Sequence, residues 1–245
     1  MRNVKLIIAY DGTDYKGWQI QTSAPTIQGV IEEKLGIILN QKTRVTGSGR
    51  TDTGVHALNQ VVHFITNSRI ETESLKKGLN SLLPPDIVVK ELSEVDADFH
   101  ARYSAKSRVY KYLVWRGDTF SPFYRRFSWQ MHYQLDLEEM RKAAECLVGL
   151  HDFASFEGTG SASLTSEREI MRFTIRGRAK GWIVTTIEAT AFLRHMVRNI
   201  MGTLIEVGKG SMTVAEFRDI LESKDRSRAG ITAPPQGLFL KKVKY

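Results

Sequence analysis

The order in which two hydrophobic periods follow one another does most to limit what this chain can fold into. Strand-like alternation and helix-like spacing succeed each other as strand, helix, strand, strand, helix, strand, and a similar succession is met a second time. That is the order of a split β-α-β unit, an antiparallel sheet with helices on one face. "VKLIIAY" at 4–10 reads as the first strand. Ile27, Val30, Ile31, Leu35 and Ile38 recur at helical spacing over 26–39, behind Thr26 as a cap. Strands at 43–46 and 60–66 ("QVVHFIT") flank a glycine-rich loop, and a helix over 72–82 sets Leu75, Leu79 and Leu82 on one side. "LLPPD" stops that helix, since two prolines cannot continue it, and "IVVKEL" at 87–92 closes the first half.

The second half opens with "SRVYKYLVW" at 107–115 as a strand and a helix from Asp136, where Asp136 and Glu139 form a pair like a capping box. "REIMRFTIRG" and "WIVTTIEATA" read as strands joined by the turn "RAKG". A long helix is expected over 192–207, with Leu193, Met196, Val197, Ile200 and Leu204 as its apolar stripe. A further helix in "MTVAEFRDILES" and a last strand in "GLFLKKVKY" complete the pattern. "HDFASF" reads as structural, with Phe153 and Phe156 as anchors, and "EGTGSASLTSERE" after it as a mobile loop. The expected class is α+β: two ferredoxin-like split β-α-β halves with antiparallel sheets, 1–104 and 105–245.

Charge and cysteine content narrow the setting. Lys and Arg number 35 against 27 acids, a net charge of +8, which favours a polyanionic partner. One cysteine, Cys146, builds no disulfide framework and no cysteine-based zinc site within the chain, so a reducing cytoplasm is the expected home. "MRNVKLIIAYDG" lacks the pattern of a signal peptide, and no apolar run is long enough to span a bilayer; no membrane role is expected. The six histidines show no metal-ligand spacing.

The loop "TGSGRTDTGVHAL" at 46–58 holds one carboxylate, Asp52, among glycines, threonines and Arg50. No lysine follows the glycines as a phosphate-binding Walker loop requires, and the dinucleotide fingerprint is absent. "DTG" is also the triplet of aspartic proteases, but those need two carboxylates sharing a proton, so a single triplet demands a dimer. A lone aspartate serves as a nucleophile or a general base, or it merely bonds its own turn.

"YDGTDYKGWQIQ" (10–21), "GSGRTDTGVHALNQVVHF" (47–64), "FHARYSAKSRVYKYLV" (99–114), "FLRHMVRNIMG" (192–202) and "GLFL" (237–240) occur in this order. Together they closely resemble the TruA family of tRNA pseudouridine synthases over nearly the whole chain. The resemblance implies an isomerase that turns uridine into pseudouridine on the 3′ side of the tRNA anticodon stem-loop, at positions 38–40. It implies no cofactor and no metal, and a homodimer in which both subunits grip each tRNA. On matching positions, Asp52 is the essential aspartate, Arg198 its partner arginine and Tyr110 the aromatic that stacks on the target base. Arg50 matches a residue that positions the flipped base and backbone. The active site is then a cleft between the halves. The alternatives are a tRNA-binding chaperone of the same fold that performs no chemistry, and the dimeric protease.

Periodicity adds a caution and further candidates. On the wheel of the long helix, Arg194 and Arg198 fall off the apolar stripe, so something besides the helix's own core must shield Arg198. Arg108, Tyr110 and Tyr112 share one face of a strand and suit a splayed base and a phosphate, or Tyr110 and Tyr112 are core tyrosines with bonded hydroxyls. Lys16, Gln19, Arg102 and Arg194 complete the candidate RNA contacts, while Arg168, Arg172 and Arg176 form either a second basic row or a solvated face. Phosphate contacts release counterions, so affinity for unmodified tRNA should fall at least about tenfold between about 50 and 200 mM salt, as read by filter binding; a flat response contradicts an RNA path over basic side chains.

Overall fold

The computed structural model describes residues 1–160, 164–178 and 180–245. Residues 161–163, in the stretch read as a mobile loop, and Ala179, in the expected "RAKG" turn, lie outside them. The elements run β1 (Arg2–Tyr10), α1 (Ile27–Leu39), β2 (Thr46–Gly47), β3 (His56–Thr66), α2 (Thr72–Leu82), β4 (Ile87–Val95) and β5 (Ser107–Arg116). They continue with β6 (Trp129–Met131), α3 (Leu137–Glu145), β7 (Gly149–Asp152), β8 (Glu167–Gly177), β9 (Gly181–Ala189), α4 (Met196–Gly208), α5 (Val214–Ser223) and β10 (Leu238–Lys244). The class is mixed α+β. Contacts gather Met1–Lys106 with Phe239–Tyr245 into one unit and Ser107–Leu238 into a second.

In the first unit β1 lies between β3 and β4, antiparallel to both, and β2 pairs antiparallel with β3. β10 pairs parallel with β3, setting Phe239 against His56 and Leu240 against Ala57. Val4, Leu6 and Ile8 face Phe64, Val62 and Gln60 across the β1–β3 ladder and form the sheet's buried row. Ile27, Ile31 and Leu35 of α1, and Leu75 and Leu79 of α2, are buried at helical spacing. Thr26 caps α1 as the sequence suggests, accepting from the Gly29 amide at 3.2 Å. Leu82 is exposed; the chain turns extended at Leu83, and Leu83 is buried in its place.

In the second unit β9 lies antiparallel between β5 and β8, β7 pairs antiparallel with β8, and β6 runs parallel to β5. Asp136 caps α3 by accepting from the Glu138 and Glu139 amides, while the Glu139 carboxylate bonds Lys142. Phe153 and Phe156 are fully buried beside the short 3-10 turn Ala154–Phe156, as anchors should be.

The long helix starts later than its apolar spacing suggests. α4 begins at Met196 because His195 takes a left-handed backbone (φ 58°) and turns the chain before the helix. Leu193 keeps helical spacing with Met196 and Val197 across that turn, so periodicity does not register the break. Within α4 every residue except Arg198 and Glu206 is buried, including the polar Asn199 and Thr203. A helix buried on nearly all sides carries polar groups only where partners wait for them.

His63, in β3, shows how burial acts on a titratable group. Its ring lies 4.7 Å from that of His100 and edge-on to Phe99, and its Nδ1 accepts from the Ala101 amide at 3.2 Å. Burial first, and the neighbouring His100 second, hold its pKa below the ordinary value of 6.5. Below about pH 6.5 the unfolded chain takes up a proton that folded His63 refuses, so stability falls with pH until the folded ring titrates too. The urea midpoint should therefore drop between about pH 7 and 5.5, and His63→Gln should flatten that slope; an equal slope in both proteins overturns the assignment.

Candidate active site

The Asp52 loop is fixed to the first sheet from below. Gln60 is fully buried in the row with Val62 and Phe64. Its Oε1 accepts from the Ser48 hydroxyl at 2.6 Å, and its Nε2 donates to the Gly49 carbonyl at 2.7 Å. Ser48 N–H also donates to the Val61 carbonyl at 2.8 Å, and the Thr51 hydroxyl is 2.8 Å from Tyr10 Oη. The Val55 amide then donates to the Asp52 carbonyl, closing a turn over Asp52–Val55 whose third residue, Gly54, has φ 74°. That position demands glycine.

A second loop braces the first. The Trp18 amide donates to the Thr51 carbonyl at 3.0 Å. Gly17 (φ 84°) lies so close that a Cβ there would stand 2.6 Å from Thr51 O and 3.0 Å from the Asp52 carbonyl carbon. Gly47 packs on the Trp18 ring, and Gly12 on the Val55 carbonyl, with no room for a side chain at either. The Gly12 amide donates to His56 Nδ1 at 3.0 Å, which makes that nitrogen an acceptor. The same nitrogen stands 3.1 Å from Asp11 Oδ1, which also takes the Thr13 amide and hydroxyl. Tyr15 ties the same loop down through its hydroxyl, which donates to Asp86 Oδ1 at 2.8 Å and is pushed well above its ordinary pKa by burial and then by that carboxylate. The two loops meet at the Asp52 backbone; Asp52 is half-buried, and Lys16, Gln19 and Arg50 are exposed on them. Arg102 stands elsewhere in this unit, on an exposed turn where its guanidinium lies 5.6 Å from the Tyr103 ring.

The second unit gathers another set. Arg198 donates through Nε to the Ala233 carbonyl at 2.7 Å, and the Ala233 amide returns a bond to the Arg198 carbonyl. Gly202 admits the Ile231 carbonyl against α4, where any Cβ would collide with it. Fully buried Asn199 accepts at Oδ1 from Arg226 and from the Thr232 hydroxyl. The segment 226–234 is thus clamped to the helix on the side that presents Arg198. Tyr112 joins it: its hydroxyl donates to the Pro234 carbonyl at 2.7 Å, burial raises its pKa, and the nearby Arg198 charge opposes that rise.

Tyr112 is therefore one of the core tyrosines allowed by the sequence and is not a stacking surface. Tyr110 retains 8 % exposure and meets Phe192 edge-on at 5.0 Å. Arg108 donates to the Thr190 carbonyl at 2.8 Å. Arg194 lies before α4, not on it, and donates to the Thr159 carbonyl at 2.8 Å, so the helical wheel does not apply to it. Sequence reasoning passed over Gln60, Asn199 and Arg226. Gln60 left a trace, a polar residue in step with Val62 and Phe64 where a core residue belongs. Among the described residues no group of three or more His, Cys, Asp or Glu side chains is placed to hold a metal ion.

A family model described as tRNA pseudouridine synthase matches residues 6–104 and 143–245. The tRNA pseudouridine synthase A of Thermoanaerobacter sp. (strain X514) is 47% identical over 245 residues, all of both chains. That of Acetivibrio thermocellus is 46% identical with the same full coverage of both. That of Pseudothermotoga lettingae is 41% identical, again over the whole of each chain. A match of this extent leaves no place for the protease reading of "DTG", and the chain belongs to the tRNA pseudouridine synthase family, a family of isomerases.

Proposed function

We propose that this chain converts uridine to pseudouridine on the 3′ side of the tRNA anticodon stem-loop, at positions 38–40. Asp52 is the reacting carboxylate, Arg198 its charge partner and Tyr110 the ring on which the target base rests. Arg50, Lys16, Gln19, Arg102, Arg108 and Arg194 hold the RNA. The protein acts as a cytoplasmic homodimer, each chain built from two ferredoxin-like halves. The order β4-β1-β3-β2, antiparallel throughout, supports that description of the first half.

The observation that carries the reading is the bracing of the Asp52 backbone from both sides. Isomerisation breaks the C1′–N1 bond, turns the base and forms C1′–C5, while C5 gives up a proton and N1 gains one. Nothing is added or removed, so a single well-placed carboxylate suffices in kind. It attacks C1′, takes a proton from C2′, or adds to C6; each route needs an ionised group held within a fraction of an ångström. A loop sharing its hydrogen bonds with a buried sheet residue and its surface with three close-packed glycines meets that demand.

Asp52→Asn keeps the shape and removes the charge. Turnover, measured by mapping pseudouridine in unmodified tRNA, should fall by about 10²–10⁴-fold or more, with tRNA affinity and urea midpoint unchanged. Undiminished turnover would return Asp52 to an ordinary turn residue. Arg198→Ala should also cost stability, about 1.5–3 kcal/mol, because the Ala233 carbonyl loses a charged donor, and should abolish turnover. Full activity in that variant excludes Arg198 as partner of the carboxylate.

A further inference from the structure

The second unit carries a concentration of exposed aromatic surface between β5 and α3. Phe120 is 59 % exposed, Phe123 84 %, Phe127 38 % and Tyr133 61 %. Large apolar groups left in water in one short stretch mark a contact surface. The stretch is not slack. Gln130 receives the Ser121 amide on Oε1 (2.6 Å) and returns Nε2 to the Ser121 carbonyl (2.7 Å), and His132 Nδ1 is 2.9 Å from the Gly117 carbonyl. The ring of Phe120 lies flat on that of His132, with centroids 4.2 Å apart and planes 18° from parallel. Beside this pair opens a cavity of about 240 Å³ walled by Phe120, Trp129, Met131, Tyr133 and Ile205. At its rim Lys209 Nζ sits 4.6 Å over the Tyr133 ring and bonds Glu206. Arg125 and Arg126 are exposed beside Phe123, and the one acid in 117–133, Asp118, is paired with Lys180 at 2.7 Å.

We infer that this surface binds unpaired RNA, one base stacked against Phe120 at the pocket beside Lys209, while Phe123 and Arg125, exposed on the same segment, hold the neighbouring nucleotide. The inference rests on the reading that the chain acts on tRNA. Exposed rings beside cations are how unpaired RNA is held, since any base stacks and any phosphate is anionic. Charge favours RNA over a second copy of the chain: in a self-complementary interface this patch would meet the same arginines. The pocket shares no residue with Asp52, Arg198 or Tyr110, so it serves grip and not chemistry.

The test uses full-length Phe120→Ala, Phe123→Ala and Arg125→Glu proteins with unmodified tRNA and with an octauridylate probe. Phe123 is mostly in water, so its truncation leaves the core intact; an unchanged melting temperature checks this. Affinity for both RNAs should weaken roughly 5- to 150-fold for the aromatic variants. KM should rise in step, kcat should hold, and sedimentation should match wild type. Unchanged affinity and KM overturn the inference, and so does a variant that changes only the oligomeric state, which would assign the patch to a second copy. If wild type binds both RNAs but forms no pseudouridine, the functional reading fails while the binding comparison still decides this one.

Discussion

Gln60 occupies a place in the buried row of β3 that an apolar side chain would fill with less risk. Its whole amide is engaged: the oxygen by the Ser48 hydroxyl, the nitrogen by the Gly49 carbonyl. A buried amide that loses such partners costs about 1–3 kcal/mol, so sheet and loop hold each other in place. Tyr10, on the neighbouring strand, adds the same kind of tie at Thr51. Asp52 follows directly in the chain and inherits the stiffness of the sheet rather than the looseness of a surface loop. The close approaches at Gly12, Gly17 and Gly47 depend on this, because backbone packs on backbone only where neither can drift.

The second unit solves a comparable problem with a helix. Arg198 is presented by an element whose other faces are covered, and the polar groups inside that cover, Asn199 and Thr203, are all answered. Thr203 Oγ1 receives the Gly230 amide, and Asn199 Nδ2 donates to the Phe156 carbonyl. Arg226 joins the same network by donating to the Ala229 and Gly230 carbonyls. The guanidinium of Arg198 therefore has a fixed base, and Tyr112, tied to Pro234, stands against the same segment.

Much of this was legible in the sequence, and the remainder shows where one-dimensional patterns stop. Strand and helix order came from periodicity, which burial enforces directly: Leu6 with Val62, Ile31 with Leu35. The start of α4 was misread because Leu193 stays in register with the helix across a left-handed histidine, and apolar spacing carries no information about φ. Tyr112 and Tyr110 share a strand face, so alternation gave both the same role; the bond of Tyr112 to the Pro234 carbonyl, far along the chain, leaves no local spacing to read. Asp52 was singled out by the motif around it, yet the residues that hold it are spread over β1, β3 and the loop before α1. Contacts of that range leave no local spacing to read. Short strands such as β6 and β7 were missed because so few residues establish no period.

The closing strand has a consequence for how the chain is made. Residues 107–238 form one unit, and the chain then returns to the other, where Phe239 and Leu240 pair with His56 and Ala57 and the Tyr245 hydroxyl donates to the Ala101 carbonyl. On the ribosome the amino-terminal unit thus waits for more than half of the polypeptide to emerge before its last strand arrives. During that interval the strip of β3 that β10 will take stands open, the kind of edge that invites wrong partners. The unit that is begun first is completed last, so its final assembly also reports that everything between has been synthesised.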